Sequence, residues 1–216
     1  MCNREGPRPA GNSLSGLAHR VNIVRFAAIT PTPWKNGLGT TTQLAIHPPG
    51  ATTEDFEWRV SIARLDASAP FSAFAGIERC LAVLQGEMTL VRSQGSHILT
   101  PASHPVCFDG SEAVEGRVGR GPVLDLNVMY KVSQWRATMR RLRLTADTTL
   151  SANGWSMLCS LSDTIDVETD GKSLQLGWFD VLEWRQTSVR LAVSRPVDAY
   201  LIEFQRQPLD AGGTGE

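Results

Sequence analysis

The sequence predicts an all-β protein that contains two antiparallel β-barrels and little helix. Short apolar or alternating segments recur along the chain, and glycines separate many of them, as in antiparallel sandwiches and barrels. This pattern occurs both before and after about residue 140, without a strict internal repeat, so we expect two related barrels packed against each other. Hydrophobic residues make up 42% of the 216, which is enough to form packed interiors.

The strands of the first half are predicted from their apolar patterns. Segment Phe56–Ile62 alternates strictly and places Phe56, Trp58, Val60 and Ile62 on one face. Two apolar runs follow each other closely, so the residues between them, Gln85–Glu87, are predicted to form a hairpin turn. The further predicted strands of this half are Arg79–Gln85, Met88–Arg92, His97–Leu99, Val106–Phe108, Ala113–Val118 and Val123–Tyr130.

One short helix is predicted between the halves, at Ser133–Arg140, where Ser133 is a candidate N-cap. The arginines at 136, 140, 141 and 143 form a basic cluster there, which we interpret as a solvated connector. The alternative is a protein-interaction module. The strands predicted after it are Trp155–Ser160, Thr164–Glu168, Ser173–Leu176, Asp180–Trp184, Val189–Ala192 and Tyr200–Phe204.

These elements predict a flexible leader at 1–20, an N-terminal barrel at 21–132, a C-terminal barrel at 133–206 and a flexible tail at 207–216. The leader lacks the apolar stretch of a secretory signal. The four cysteines are Cys2, Cys80, Cys107 and Cys159, and none has CxxC spacing. Cys80 and Cys107 lie in apolar stretches, where a free cysteine behaves as a small hydrophobic residue. This usage predicts free thiols and a reducing cytoplasmic location.

Charge and hydropathy limit the classes of partner. A formal net charge of −1 argues against nucleic-acid binding, because nucleic-acid-binding proteins usually carry a basic excess. No apolar run approaches the roughly 20 residues that span a bilayer, so no membrane partner is expected. Open sheet edges leave room for a homodimer, although no residue indicates which edge would pair.

Metal and nucleophilic catalysis have little support in the residue pattern. The four histidines are at 19, 47, 97 and 104, and no two have the i, i+2 spacing that puts both imidazoles on one strand face. Only His97, His104 and Glu87 offer a set of ligands for a metal, and neither a metal nor another cofactor is predicted. The chain also lacks a GxSxG elbow, a P-loop and a dinucleotide fingerprint.

Polar residues in two kinds of setting are the candidate ligand-binding groups. Trp34, Lys35 and Asn36 form an unusual loop triplet that combines a flat apolar wall, a cation and an amide. The others stand in apolar strands and are Arg59, Arg79, Asp125 and Asn127. We expect an arginine or lysine to pair with a carboxylate, asparagine to orient it, and Asp125 to fix an arginine. The alternative is that these groups satisfy only one another, and that the loop triplet merely plugs the barrel end.

Several segments, in order, resemble the HutD/Ves family. They are WKNG at 34–37, FEWRVS at 56–61, PFS at 70–72, FDG at 108–110 and GPVLDLNVM at 121–129. The resemblance implies a bicupin, which has two cupin barrels (double-stranded β-helices) in one chain. It also implies that the protein is bacterial and cytoplasmic. It also implies a link to histidine utilisation or, for the Ves members, to stress. The HxH pair of metal-dependent cupins is absent, because Phe71–Phe74 occupies roughly that region.

Taken together, these observations predict a non-metal bicupin that binds a small carboxylate-bearing metabolite in its N-terminal barrel. The expected role is regulatory or accessory in histidine utilisation rather than enzymatic. The alternatives are a metal-dependent cupin enzyme, such as a dioxygenase or isomerase, and a stress-induced protein.

Overall fold

The computed structural model describes residues 21–169 and 171–208, and it confirms the all-β prediction. Strands and connecting turns account for nearly all of the described chain, with one 3₁₀ turn at Phe26–Ala28. Within these residues, no helix has the length and apolar character needed to cross a membrane. The predicted leader, and all of the predicted tail except Gln207 and Pro208, lie outside the described residues.

The first half forms two antiparallel sheets that face each other. One has the strand order β2-β3-β4-β11-β6-β9, and the other has the order β5-β10-β7-β8. Their bounds are β2 (Thr32–Pro33), β3 (Gly39–His47), β4 (Trp58–Leu65), β5 (Ala69–Pro70), β6 (Ile77–Gln85), β7 (Met88–Arg92), β8 (Gly95–Leu99), β9 (Val106–Asp109), β10 (Glu115–Val118) and β11 (Val123–Lys131).

The second half repeats this two-sheet plan. Its larger sheet has the order β1-β17-β14-β19-β12, and its smaller sheet has the order β13-β18-β15-β16. The bounds are β1 (Val21–Val24), β12 (Trp135–Leu144), β13 (Thr148–Ser151), β14 (Trp155–Ser160), β15 (Ile165–Thr169), β16 (Lys172–Leu176), β17 (Val181–Arg185), β18 (Ser188–Ala192) and β19 (Val197–Arg206).

Strand β1 connects the halves, because it precedes the first half in sequence but pairs with the second. Val21–Val24 runs antiparallel to β17 and forms the edge of the larger second sheet. The predicted N-terminal barrel, 21–132, therefore includes four residues whose hydrogen-bonding partners lie in the second half.

The prediction of a helix at Ser133–Arg140 is wrong, because most of this segment belongs to strand β12. Trp135, Ala137 and Met139 face the interior, and the residues between them are exposed. This alternation has the period of a strand, and β12 pairs with β19 over its full ten residues. Pairing with a distant strand therefore outweighs the local capping signal at Ser133.

The hairpin predicted at Gln85–Glu87 is also wrong, although the chain does turn there. Gly86 has a φ of +81°, and a side chain at this position would meet the Pro122 carbonyl at 2.7 Å. Strands β6 and β7 lie in different sheets, so the turn carries the chain from one sheet to the other.

The three largest apolar clusters among the described residues follow from this arrangement. One lies between the two sheets of the first half, and one lies between the two sheets of the second half. The third lies between the halves, where Trp58, Val60 and Ile62 of β4 pack in the same cluster as Tyr200 and Ile202 of β19. One face of β4 is thus occupied by contacts between the halves, and its other face is turned toward the interior of the first half.

A disulfide joins Cys80 and Cys107, so the prediction of free thiols at these two positions is wrong. The residues are direct partners across the antiparallel pair β6–β9. They are 27 residues apart in sequence, and only strand pairing brings them together. Their spacing in the sequence therefore did not predict the bond. Cys159 is free and buried.

Candidate functional site

The candidate site is a cavity of about 680 Å³ in the first half. It lies between the inward face of the larger sheet, the loop that contains Trp34, and the segment that follows β5. The described residues that line it are Thr32, Pro33, Trp34, Lys35, Asn36, Thr41, Gln43, Thr53, Arg59, Ser61, Ala63, Pro70, Phe71, Ser72, Phe74, Arg79, Asn127 and Met129.

The loop between β2 and β3 forms one wall of the cavity. The Trp34 backbone N–H donates to the Gly39 carbonyl at 2.9 Å, and its indole Nε1 donates to Thr41 Oγ1 at 2.8 Å. Gly37 has a φ of +71°, a conformation that side chains disfavour. A Cβ on Gly39 would lie 2.3 Å from the Arg64 carbonyl and 3.1 Å from the Trp34 ring. The two glycines therefore allow the ring to lie flat against the loop.

Lys35 and Asn36 are exposed at the mouth of the cavity. The Asn36 Oδ1 accepts a hydrogen bond from the Leu38 backbone N–H at 3.0 Å, so this oxygen stabilises the loop itself. This contact agrees with the alternative interpretation of the loop triplet, in which its polar groups stabilise the loop and do not bind a ligand. The Nδ2 group of Asn36 and the ammonium of Lys35 remain the groups that would serve a ligand.

Three adjacent strands form the floor. In the β4–β11–β6 ladder, Asn127 pairs with Ser61 on one side and Leu81 on the other, and Met129 pairs with Arg59 and Arg79. Because side chains alternate along a strand, Arg59, Arg79 and Asn127 share the inward face of the sheet. Strand register thus explains why residues so far apart in sequence meet in one cavity.

Arg79 is the most unusual group in the floor, because only 6% of its surface is exposed. Its Nη2 donates to Asn127 Oδ1 at 2.8 Å, and its guanidinium carbon lies 4.6 Å from the centre of the Phe71 ring. Its Nε has no hydrogen-bond partner, and no carboxylate of the described residues lies within 4.0 Å of it. Burial lowers the pKa of Arg79 to about 10, although the charge of Asp125 opposes this shift.

Arg59 is half-buried beside it. Its Nε donates to Gln43 Oε1 at 3.1 Å, a neutral partner. Burial lowers its pKa. The floor therefore presents two guanidinium groups whose described hydrogen-bond acceptors are neutral amide and carbonyl oxygens.

Asp125 lies beneath this floor rather than in the cavity lining. It is fully buried, and its Oδ1 accepts a hydrogen bond from Asn127 Nδ2. Burial raises its pKa to about 7, against the opposing effects of Arg79 and Asn127. We expected Asp125 to fix an arginine, and it does so only indirectly, through the Asn127 side chain that contacts Arg79.

The structure thus brings all seven predicted residues to this region, six of them in the lining. Sequence reasoning did not assign site roles to Gln43, Ser61, Met129, Phe71 and Phe74. Met129 shares a strand face with Asp125 and Asn127, so the alternation that marked those two also marked it. The two phenylalanines lie in a segment without regular periodicity, where only the tertiary structure places them over the cavity.

The lining does not fit the metal ion that many cupins hold. It contains neither histidine, cysteine, aspartate nor glutamate among its described residues, and its two arginines would repel a cation. Across residues 21–169 and 171–208, the one group of such ligand atoms lying within 4.8 Å of one another is Glu78, Cys80 and Cys107. Glu87, His97 and His104 therefore do not converge, and the sulfurs of the group are bonded to each other.

Comparisons with known proteins agree on one family. The HutD family model matches residues 27–201. An uncharacterized 21.2 kDa protein from the hutC 3' region of Pseudomonas putida is 34% identical over 76% of this chain and 86% of its own length. Protein Ves from Citrobacter koseri is 33% identical over half of this chain, and the match spans 56% of that protein.

Solved structures show the same relationship. HutD from Pseudomonas fluorescens SBW25, determined in a formate condition, has a TM-score of 0.74 and 28% identity, with 87% of this chain and all of that chain covered. A cupin 2 conserved barrel domain protein from Leptotrichia buccalis has a TM-score of 0.60 at 10% identity over 85% of this chain and 96% of that one. The second likeness concerns the fold alone and identifies it as cupin-like.

Proposed function

The chain belongs to the HutD family, and from that premise we propose that it binds a small carboxylate-bearing metabolite in the first-half cavity. We further propose that it acts as a regulatory or accessory protein of histidine utilisation. A cavity of about 680 Å³ falls within the usual size range of small-molecule sites.

The observation that carries the proposal is the state of Arg79. A buried guanidinium without a carboxylate in direct contact is costly, since the more distant charge of Asp125 offsets only part of the desolvation. Arg79 faces the cavity, has a buried and unpartnered Nε, and contacts only neutral oxygens. A carboxylate that entered the cavity would supply both a negative charge in direct contact and two parallel acceptors.

The surrounding groups suit a small organic anion better than an inorganic cation. Arg59 offers a second guanidinium, Asn127 supplies amide groups, and Lys35 adds positive charge at the entrance. Trp34 and Phe71 add flat apolar walls against which the carbon skeleton of a metabolite would pack. The lining offers neither a histidine nor a carboxylate as a general base among its described residues, which favours binding over turnover.

The role in histidine utilisation rests on the relatives. One comes from the hutC 3' region of P. putida, and a solved structure of similar fold carries the name HutD. The metal-dependent cupin enzyme is the less favoured alternative, because the donors that such a site needs are missing from the described lining.

Isothermal titration calorimetry tests the binding proposal with formate, urocanate, formylglutamate and glutamate. We expect saturable binding of at least one of them, and about a 100-fold loss in Arg79→Met, because that substitution removes a charge-assisted bidentate contact. Arg64→Met is the matched control, since Arg64 is an arginine on β4 of the same sheet that pairs with Asp66 outside the cavity. The absence of heat with all four ligands, or equal losses in both variants, would overturn the proposal.

The cellular role has a separate test. A strain that lacks the gene should show altered transcript levels of the histidine-degradation genes during growth on histidine. Unchanged transcripts together with normal growth would remove the histidine-utilisation role and leave the binding proposal intact.

A further inference from the structure

We propose that the first-half cavity takes up its anionic ligand together with a proton, and that Asp125 is the residue that accepts the proton. This inference rests on the proposed function. It adds a form of regulation to the site, because ligand affinity would then depend on pH near neutrality.

The first step of the argument is the position of Asp125. It lies on β11, flanked by Ala63 on β4 and Val83 on β6, one inward-facing position deeper than Asn127. Its exposed fraction is 0%, and its Oδ2 has no hydrogen-bond partner. A buried carboxylate with one oxygen left unpartnered is poorly stabilised in its charged form.

The second step is the charge around Asp125. The charged groups that share its inward face are Arg79 on β6 and Arg59 on β4, and Lys35 lies farther away at the cavity mouth. The smaller sheet opposite contributes apolar side chains, among them Met88 and Leu90. The charged form of Asp125 thus depends chiefly on Arg79, which it reaches through the Asn127 amide.

The third step is what a ligand would change. A carboxylate bound against Arg79 would share the cation on which Asp125 depends, and would also bring a second negative charge to the same poorly solvated region. Both effects disfavour ionised Asp125. Since burial already brings the pKa of this group close to neutrality, a further rise would move a proton onto it at physiological pH.

Linkage then fixes the direction of the pH effect. Where the ligand-bound protein holds more protons than the free protein, affinity rises as pH falls. We therefore expect the wild-type protein to bind more tightly at pH 6 than at pH 8. An uncharged isostere at position 125 would abolish this dependence.

The test uses formate, whose carboxylate stays ionised above about pH 6. Titrations in two buffers with different ionisation enthalpies, HEPES and Tris, measure the protons taken up on binding. For the wild-type protein we expect net uptake at pH 7.5 and about a 5-fold weaker affinity at pH 8 than at pH 6. For Asp125→Asn we expect no uptake and an affinity that is constant between these values. Asp66→Asn, an exposed carboxylate outside the cavity, is the control and should behave as the wild-type protein.

The outcomes separate the two proposals. If formate binds without proton uptake, or if Asp125→Asn keeps the pH dependence, this inference is wrong and the binding function stands. If formate binds to none of the proteins at either pH, both the binding function and the proton uptake are wrong for formate.

Urea unfolding without ligand provides a second measurement. The urea midpoint of Asp125→Asn should exceed that of the wild-type protein by more at pH 8 than at pH 5. An equal difference at both values would also overturn the inference.

Discussion

The two halves of the molecule have the same two-sheet plan but fill their interiors differently. In the first half, the inward faces of the central strands carry Arg59, Arg79 and Asn127 beside a cavity. In the second half, the corresponding interior is a cluster of aliphatic side chains with Trp184, and residues such as Leu158 and Leu182 are fully buried. The comparison teaches that a few inward-facing polar positions decide whether this fold keeps a polar cavity or a solid core.

Two buried aspartates show the same contrast in electrostatic terms. Asp180 in the second half accepts hydrogen bonds from Arg25 Nη1 at 2.7 Å, from the Phe26 N–H at 2.9 Å and from the Gly177 N–H at 3.0 Å. Burial would raise its pKa, but these bonds together lower it. Asp125 has one described donor for its two oxygens, and burial raises its pKa. The donors around Asp180 therefore stabilise its charged form, whereas the surroundings of Asp125 favour its protonated form.

The largest expected effect concerns the filled interior. Leu158→Ala should lower the free energy of unfolding by about 4 kcal/mol, because it leaves a cavity in a packed core. Urea unfolding measures this loss, and Leu150→Ala, at a partly buried edge position, should lose less than half as much. Ligand affinity should not change in either variant. A 10-fold weaker affinity in Leu158→Ala would show that the two interiors are not independent.

The next effect concerns the disulfide, which the second half lacks among its described residues. Reduction should lower the free energy of unfolding by about 3 kcal/mol, because the bond closes a 27-residue loop. Urea unfolding with and without reductant measures this change, and the double variant Cys80→Ala, Cys107→Ala should be insensitive to reductant. Alkylation of Cys107 in the unreduced folded protein would contradict the bond.

A smaller effect is expected at Asp180. Asp180→Asn should lower the free energy of unfolding at pH 7 by about 1.5 kcal/mol, because it weakens charge-assisted hydrogen bonds. A carboxylate whose pKa is lowered on folding adds stability above its unfolded pKa of about 4, and that stability is lost as pH falls through the folded value. The difference between variant and wild type in urea should therefore shrink as pH falls below about 4. A constant difference would assign the loss to packing alone.

The smallest effect is expected at the mouth of the cavity. Lys35→Ala should weaken carboxylate binding about 3-fold at low salt, and less at 0.5 M salt, because an exposed charge is screened. Its melting temperature should match that of the wild-type protein. A loss of affinity as large as that of Arg79→Met would show that the ligand binds chiefly at the mouth of the cavity and not at its floor.

The sequence was sufficient for the fold class and for most strands, since period-2 alternation and glycine spacing are local signals. It was also sufficient to single out Arg79, Asp125 and Asn127, because polar residues stand out in apolar strands. It failed at Trp135–Leu144, where a capping serine and several arginines obscured a strand pattern. It also failed at Cys80 and Cys107, and for the roles of Phe71 and Phe74, because these depend on contacts between segments that are distant in sequence.

Strand β1 has a consequence for the order in which the protein assembles during synthesis. Val21–Val24 leaves the ribosome before any other described strand, yet its partner, β17, ends at Arg185. The two sheets of the first half can close before β17 exists, while β1 has to wait until β17 has been made. A nascent chain that stops before β17 therefore carries an unpaired apolar strand, which exposes it to chaperones and to aggregation until its partner strand is available.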